Sequence, residues 1–310
     1  MRAECQKLKS YSGAVPRPGE TLNAFVEEEN NEIENGLERM KNKERDEVCN
    51  RTRADAARDR SCHNQQFPCC DSPLFSIVIP ARDEEHHLPY CLEAIHRAAV
   101  QIDNSIEVIV VLNRCSDLTK MIAQEWNCQI ASDDRKNLAA IRNTGCFRAR
   151  GKILVTIDAD SRMSHNMLKV IRATLEREDI IGGGVMMWPS RWSLGIFLTA
   201  LCILPIALKH RISGGVFFCR RESFLAIKGF DESLYSLEDV DFAKRLRLYG
   251  LSRGKRFTTL FRASITTSMR KFDHFGDWYF LTHPKLFLQL LSGKDQKSAD
   301  KVWYDFKRER

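Results

Sequence analysis

A doubly wound α/β fold is expected from three observations. Short apolar runs at Phe75–Ile79, Val108–Leu112 and Lys152–Ile157 lack the alternation of a one-faced strand, so both faces of each are buried. The first two are each followed by a polar loop and then by apolar residues at helical spacing. Polar side chains gather just after the strands, the edge at which open α/β sheets take their ligands.

Taken in order, residues 1–72 precede this pattern. They carry 12 Lys and Arg against 14 Asp and Glu, which leaves 36 against 27 for the remainder and makes the body the basic part of a chain of net charge +7. From Val26 to Asp59 the few apolar residues, Val26, Ile33, Leu37 and Met40, form too thin a stripe to fold alone, so a charged helical or disordered extension is expected. Met1–Glu20 is broken by Arg2, Glu4, Lys7, Lys9 and Arg17 and has no apolar leader, which points to the cytoplasm. Eleven cysteines outside a short secreted frame read as reduced thiols, and Cys62, His63, Cys69 and Cys70 match no zinc-ligand spacing.

The domain is expected to begin near Pro73. After the first strand comes a helix with Leu88, Leu92 and Ile95; after the second, a helix with Met121, Ile122 and Trp126 on one face; the third runs into Asp158-Ala159-Asp160. Leu194–Leu208 is fifteen residues without a charge, too short to span a bilayer at about 20 residues. It reads as a buried or substrate-facing helix or as a monotopic docking segment, the last because Trp188 and Trp192 precede it and Lys209, His210 and Arg211 follow. After Gly214-Gly215 another apolar run, Val216–Cys219, leads to an acidic loop and a helix with Phe242, Leu246 and Leu248. Residues 73–290 thus form the domain and 291–310 a basic tail.

Candidate chemistry sits at the strand ends. Asp158 and Asp160 aim two carboxylates into one crevice, where like charges call for a cation, and all-oxygen ligation suits Mg²⁺ or Mn²⁺. Glu238-Asp239-Val240-Asp241 opens a helix, whose dipole also favours acids there; Glu238 and Asp239 share a direction that Asp241 does not, and one of them suits a general base. Pro80, Ala81, Arg82, Asp83 and Glu84 follow the first strand, Asn113 and Asp117 the second, and Asn137 to Asn143 lie before the third, among them Arg142, a guanidinium suited to a diphosphate.

These segments in this order resemble family 2 glycosyltransferases of the GT-A fold. SIVIPARDEE is similar to the family's first strand and nucleotide loop, EVIVVLNRCSDLT to its base-reading loop, and NLAAIRNTGCFRARGKILVTIDAD to the helix and strand that bear the nucleotide-side Arg and the D-x-D. GGVFFCRRESFLAIKGFDESLYSLEDVDFAKRLRLYG resembles the acceptor-side segment with its Glu-Asp pair. The resemblance covers Phe75 to about Phe272 and implies an inverting transfer from a nucleotide-diphosphate sugar, a UDP-sugar by default, to a hydroxyl of a saccharide or lipid-linked acceptor. It implies Mn²⁺ or Mg²⁺ on Asp158 and Asp160, a base at Asp239 or Glu238, and donor contacts from Pro80, Ala81, Arg82, Glu84, Asn113, Arg142, Asp158 and Arg270. Lys271 joins Arg270 in the basic patch after the last strand, His274 is either a solvated side chain or a third metal ligand, Gly214-Gly215 lets backbone approach the sugar, and the GT-A type implies a doubly wound mixed sheet. Leu112-Asn113 stands where the family often has two acids, and Asp83 where it usually has Asn, so the base preference is open.

Other classes meet specific obstacles. A nucleotidyltransferase would show a Gly-rich loop after the first strand, and Pro80–Glu85 has no glycine. An inactive nucleotide-sugar-binding scaffold would have a broken D-x-D or acidic pair, and both are intact. The basic residues are dispersed without an aromatic recognition motif, against a nucleic-acid partner.

Overall fold

A computed structural model of the chain describes residues 66–67, 72–103, 105–210, 215–291 and 293–303. Two compact units divide the chain, Met1–Asn64 and Gln65–Arg310, and the described residues all belong to the second. The charged arm up to residue 65, the Cys62, His63, Cys69, Cys70 group, Arg211 and Gly214 lie outside the described residues.

Eight strands form one sheet: β1 (Phe75–Ala81), β2 (Ile106–Leu112), β3 (Gln129–Ser132), β4 (Ile153–Ile157), β5 (Ser161–Met163), β6 (Ile180–Pro189), β7 (Val216–Arg220) and β8 (Arg256–Thr267). Their order is β3-β2-β1-β4-β7-β6-β8-β5. The first four are parallel, β7 runs antiparallel to β4 and β6, and β5 antiparallel to β8, which makes the sheet mixed. Ala81 pairs with Leu112, so β1 and β2 end together and their loops open on the same edge.

The helices are α1 (Leu88–Ala99), α2 (Thr119–Glu125), α3 (Leu138–Arg148), α4 (Met167–Glu176), α5 (Leu194–His210), α6 (Arg221–Ala226), α7 (Glu238–Leu251), α8 (Arg270–Phe275), α9 (Tyr279–Thr282), α10 (Pro284–Leu291) and α11 (Gln296–Trp303). Strand side chains divide between two cores, as the unalternating runs require. Phe75, Ile77 and Ile79 pack with Leu88, Leu92 and Ile95 of α1 and Ile171 of α4. Val78, Ile109 and Val111 pack with Ile141 of α3 and Phe242 and Leu246 of α7. Each such side chain contributes about 1.5–3 kcal/mol on burial, so the two faces rather than the loops hold the fold. Close approach of α3 needs Gly145: a Cβ there would stand 2.4 Å from Val78 Cγ1 and 2.7 Å from Val111 Cγ2.

Several expectations change. The core reaches back to Phe67, which is buried against the rings of His96 and Trp126, and forward to Ala299 and Val302 of α11, within the segment read as a basic tail. Ile122 of α2 and Trp126 at its C-cap pack on the core but Met121 is exposed, because it is two residues, about 200° of helix rotation, from both of the buried Thr119 and Ala123. Over 194–205 the buried reading fails, since Leu194, Phe197, Leu201, Ile203 and Leu204 are all exposed while Ile196 and Thr199 are buried; the side chains of 206–208 lie outside the described ones. No helix among the described residues is long and apolar enough to cross a membrane. The six described cysteines, Cys91, Cys115, Cys128, Cys146, Cys202 and Cys219, are free.

Candidate active site

The loops after β1, β2 and β4 meet because their strands are neighbours, and they are cross-tied. The Asn113 backbone N–H donates to the Ala81 carbonyl at 2.8 Å, and Glu84 N–H to Thr119 Oγ1 at 2.7 Å. Asp83 accepts from Ser116 N–H at 2.7 Å, and Asp117 from Glu85 N–H at 2.9 Å. Asp83 holds a left-handed backbone, φ 49°, to make this turn. The pinned Glu84 carboxylate then receives both guanidinium nitrogens of Arg270 at 2.7 Å each, and Arg270 Nη2 lies 3.2 Å from Asp160 Oδ2. Burial works against the Arg270 charge, but Asp160 and Glu84 outweigh it and raise its pKa.

A second arginine ties the strand acids to the acidic helix. Arg142 of α3 is buried, donating from Nη2 to Asp158 Oδ1 at 2.8 Å and from Nη1 to Glu238 Oε1 at 2.7 Å, with Phe230 5.7 Å from its guanidinium carbon. Burial opposes its charge; Asp158 and Glu238 more than restore it. Burial pushes the Glu238 carboxyl up to about 7 against the pull of Arg142. Asp239 is half-buried and also shifted upward, by burial first, while its Oδ1 accepts the Val240 N–H at 2.7 Å. Asp241 turns away, as its position suggested, to Arg245 at 2.5 Å.

The start of α7 is fixed from α3. Asn143 accepts the Phe230 N–H at 2.8 Å and donates to the Phe230 carbonyl at 2.9 Å and to Glu232 Oε1 at 3.0 Å; Asn137 donates to the carbonyls of Glu232 and Leu234. Gly229 is required at the turn: its φ is +70° and a Cβ would stand 2.5 Å from Asn143 Oδ1. Asn137 to Asn143 are expected from the sequence to converge on this edge, but the partners of these amides, the Arg142 bridge and the Arg270–Glu84 pair carry no signal in local sequence. His87 also joins the edge, its imidazole held below the ordinary range by burial and by Arg270, partly offset by Asp160.

Among the residues expected at a ligand, Pro80 and Arg82 are half-buried and Ala81, Glu84, Asn113 and Arg142 are buried. Asn113 does not offer its amide to the crevice. Nδ2 donates to the carbonyls of Asp133 and Arg135 at 2.5 and 2.9 Å, and Oδ1 accepts from Arg114. It fixes the loop before α3, where hydrogen bonds from Arg135 and Thr144 hold the Asp133 carboxyl at about 2. Asp158 and Asp160 suit a hard cation chemically: each is a half-buried carboxylate with only one oxygen in the Arg142 and Arg270 ion pairs. His274 is exposed, with its ring against Phe275. Among the described residues, Asp83, Cys115 and Asp117 bring ligand atoms within 4.8 Å of one another, in the loop cross-ties rather than at the D-x-D.

Residues 76–196 match the family model of glycosyl transferase family 2. Glycosyltransferase AglE of Haloferax volcanii is 29% identical over 121 residues, 36% of this chain and 40% of that protein. Minor teichoic acid biosynthesis protein GgaA of Bacillus subtilis is 24% identical over 209 residues, 59% of this chain and 46% of that protein. The chain therefore spans less than half the length of either relative. Mannosyltransferase PcManGT from Pyrobaculum calidifontis, in complex with GDP-Man and Mn²⁺, shares the fold at TM-score 0.52 and 16% identity over 74% of each chain. S. aureus TarS 1–349 in complex with UDP-GlcNAc does so at TM-score 0.50 and 18% identity, over 75% of this chain and 71% of that one.

Proposed function

We propose that this chain, a GT-A-fold protein whose residues 76–196 are a family 2 glycosyltransferase region, moves a sugar from a nucleotide-diphosphate donor to an acceptor hydroxyl with inversion. The observation that carries the reading is the Asp158–Arg142–Glu238 ion-pair chain, which joins the acids after β4 to the acids opening α7. A donor-side and an acceptor-side group are thereby held across one crevice.

Asp239 is the proposed base. Glu238 is buried and committed to Arg142, whereas the neighbouring Asp239 is half-buried and its upward shift brings it closer to the pH at which it must accept a proton. Its carboxylate takes the acceptor hydroxyl proton while that oxygen bonds to the anomeric carbon and the bond to the diphosphate oxygen breaks on the opposite face. No covalent enzyme intermediate is needed. Mn²⁺ or Mg²⁺ on Asp158 and Asp160, when bound, supplies positive charge to the departing diphosphate. Arg142 orients Asp158 and Glu238 together, and Arg270, anchored on Glu84, stands 3.2 Å from Asp160. The saturated amide of Asn113 supports base recognition by the backbone and side chains around it rather than by Asn113 itself. The complexes of the structural relatives, with UDP-GlcNAc and with GDP-Man, favour a nucleotide-sugar donor, and the family resemblance makes uridine the default base.

The test is transfer, or slow donor hydrolysis, across a panel of nucleotide sugars with Mn²⁺, together with donor binding by calorimetry. Donor binding without turnover by the wild-type chain over broad donor and acceptor panels would favour the inactive scaffold.

A further inference from the structure

We propose that α5, with Trp188 and Trp192 at its root, docks the protein on an anionic lipid surface without crossing it. Seventeen residues of helix make a rod about 25 Å long. Ile196 and Thr199 face the protein near its start, and beyond them residues 200–205 are all exposed. Six consecutive positions exceed one helical turn, so Ala200, Leu201, Cys202, Ile203, Leu204 and Pro205 present apolar surface around the whole circumference. A protein groove covers one stripe of a helix, whereas acyl chains can cover every side.

Composition at the two ends favours the same occupant. Trp188 and Trp192 are 50% and 54% exposed, and indoles settle where apolar tails meet headgroups. At the other end the sequence continues Lys209-His210-Arg211, on a body whose residues after 72 carry a basic excess. Two copies meeting through α5 would bring like charges together, while an anionic leaflet offers the opposite charge.

The root of α5 is braced against the site. Arg191 binds Asp273 of α8 and Asp277, its Nη2 standing 2.7 Å from Asp277 Oδ1, and Gly195 lies so close that a Cβ would stand 2.5 Å from the Asp277 carbonyl oxygen. The same α8 begins with Arg270, which pairs with Glu84 and Asp160. A leaflet held by α5 is therefore tied mechanically to the acid edge, the placement that a lipid-linked acceptor would need.

The full chain should cosediment with phosphatidylcholine vesicles containing phosphatidylglycerol, more weakly at high salt and with phosphatidylcholine alone. Leu201→Glu with Leu204→Glu should lower that binding about tenfold or more, and Trp188→Ala with Trp192→Ala by a smaller factor. Phe261→Glu, at a 76% exposed apolar residue of β8, should leave it unchanged. Absence of wild-type sedimentation, undiminished binding by the double glutamate variant, or a wild-type dimer dissolved by it would overturn the proposal. Collapse of that variant's thermal transition would do so too, by showing that another part of the chain covers α5. No nucleotide sugar is in the assay, so its failure leaves the transfer reading intact.

Discussion

Replacing Arg142 by Met removes the cation shared by Asp158 and Glu238 while keeping much of its bulk. At an effective dielectric of about 20, a unit pair near 4 Å is worth about 4 kcal/mol, and removing one member of a buried pair costs about 3–5 kcal/mol net. The Asp158 side chain is 35% exposed and solvent screens its share, whereas the Glu238 side chain is 9% exposed. We therefore assign the loss mainly to Glu238, at about 3 kcal/mol. For a unit of this size that lowers Tm by roughly 6–12 °C. The pH dependence carries the sharper test. Glu238 has a raised folded pKa of about 7, so its contribution to stability is fully present below its unfolded value of about 4.3 and is lost as pH rises through 7. Without Arg142 the folded value rises further, and Asp239 moves the same way. The Tm deficit of Arg142→Met should consequently be largest at pH 8 and shrink toward pH 5, as the stranded acids protonate. Thermal unfolding at both pH values measures it, with Arg142→Lys recovering part of the deficit at pH 8. Equal deficits at both would refute the charge argument and leave only lost packing against Phe230.

Further expectations follow from the same geometry. Asp160→Asn should abolish transfer and remove the Mn²⁺ dependence of donor binding while the thermal transition stays near wild type, as read by calorimetry and melting. Asp239→Asn should lower transfer by about a hundredfold or more with donor affinity nearly unchanged, and Glu238→Gln should act through acceptor KM; unchanged turnover in both would remove the base assignment. Asn143→Ala leaves the Phe230 backbone groups without their side-chain partner and should cost about 2 kcal/mol by chemical denaturation, together with a loss of kcat because the start of α7 loosens. Full stability in that variant would show that α7 is fixed by other contacts.

The parts legible in the sequence were those in which one short segment carries its own contrast. Strands buried on both faces stand out as unbroken apolar runs, and Asp158 and Asp160 follow the third of them directly. Partners were not legible, because Glu84 and Arg270 lie 186 positions apart and nothing local to either names the other. Asn113 shows the same difficulty: an amide after a strand looks available until the carbonyls of Asp133 and Arg135 occupy it. The stretch 194–205 failed for another reason, since an apolar helix has the same composition whether protein or another medium covers it. Met121 was misplaced because the buried face runs through Thr119 and Ala123, small residues that do not stand out as apolar in the sequence, and Met121 lies about 200° of helix rotation from both.

The two arginines of the acid edge differ in what they hold and how firmly. Glu84, Asp158, Asp160, Glu238 and Asp239 converge from three separate parts of the chain, and acids gathered at a partly dry edge require internal cations before any ligand arrives. Arg142 meets that need from inside: its side chain is 3% exposed, its two ion pairs are 2.7 and 2.8 Å, and it comes from the helix whose Gly145 lies against β1 and β2. Arg270 meets it from the rim, on a six-residue helix, with a 23% exposed side chain and a 3.2 Å contact to Asp160. A cation reaching Asp160 has to displace only that longer contact, because Arg270 keeps its two 2.7 Å bonds to Glu84. An ion held at Asp160 would therefore leave in place the geometry that Arg142 imposes on Glu238 and its neighbour Asp239.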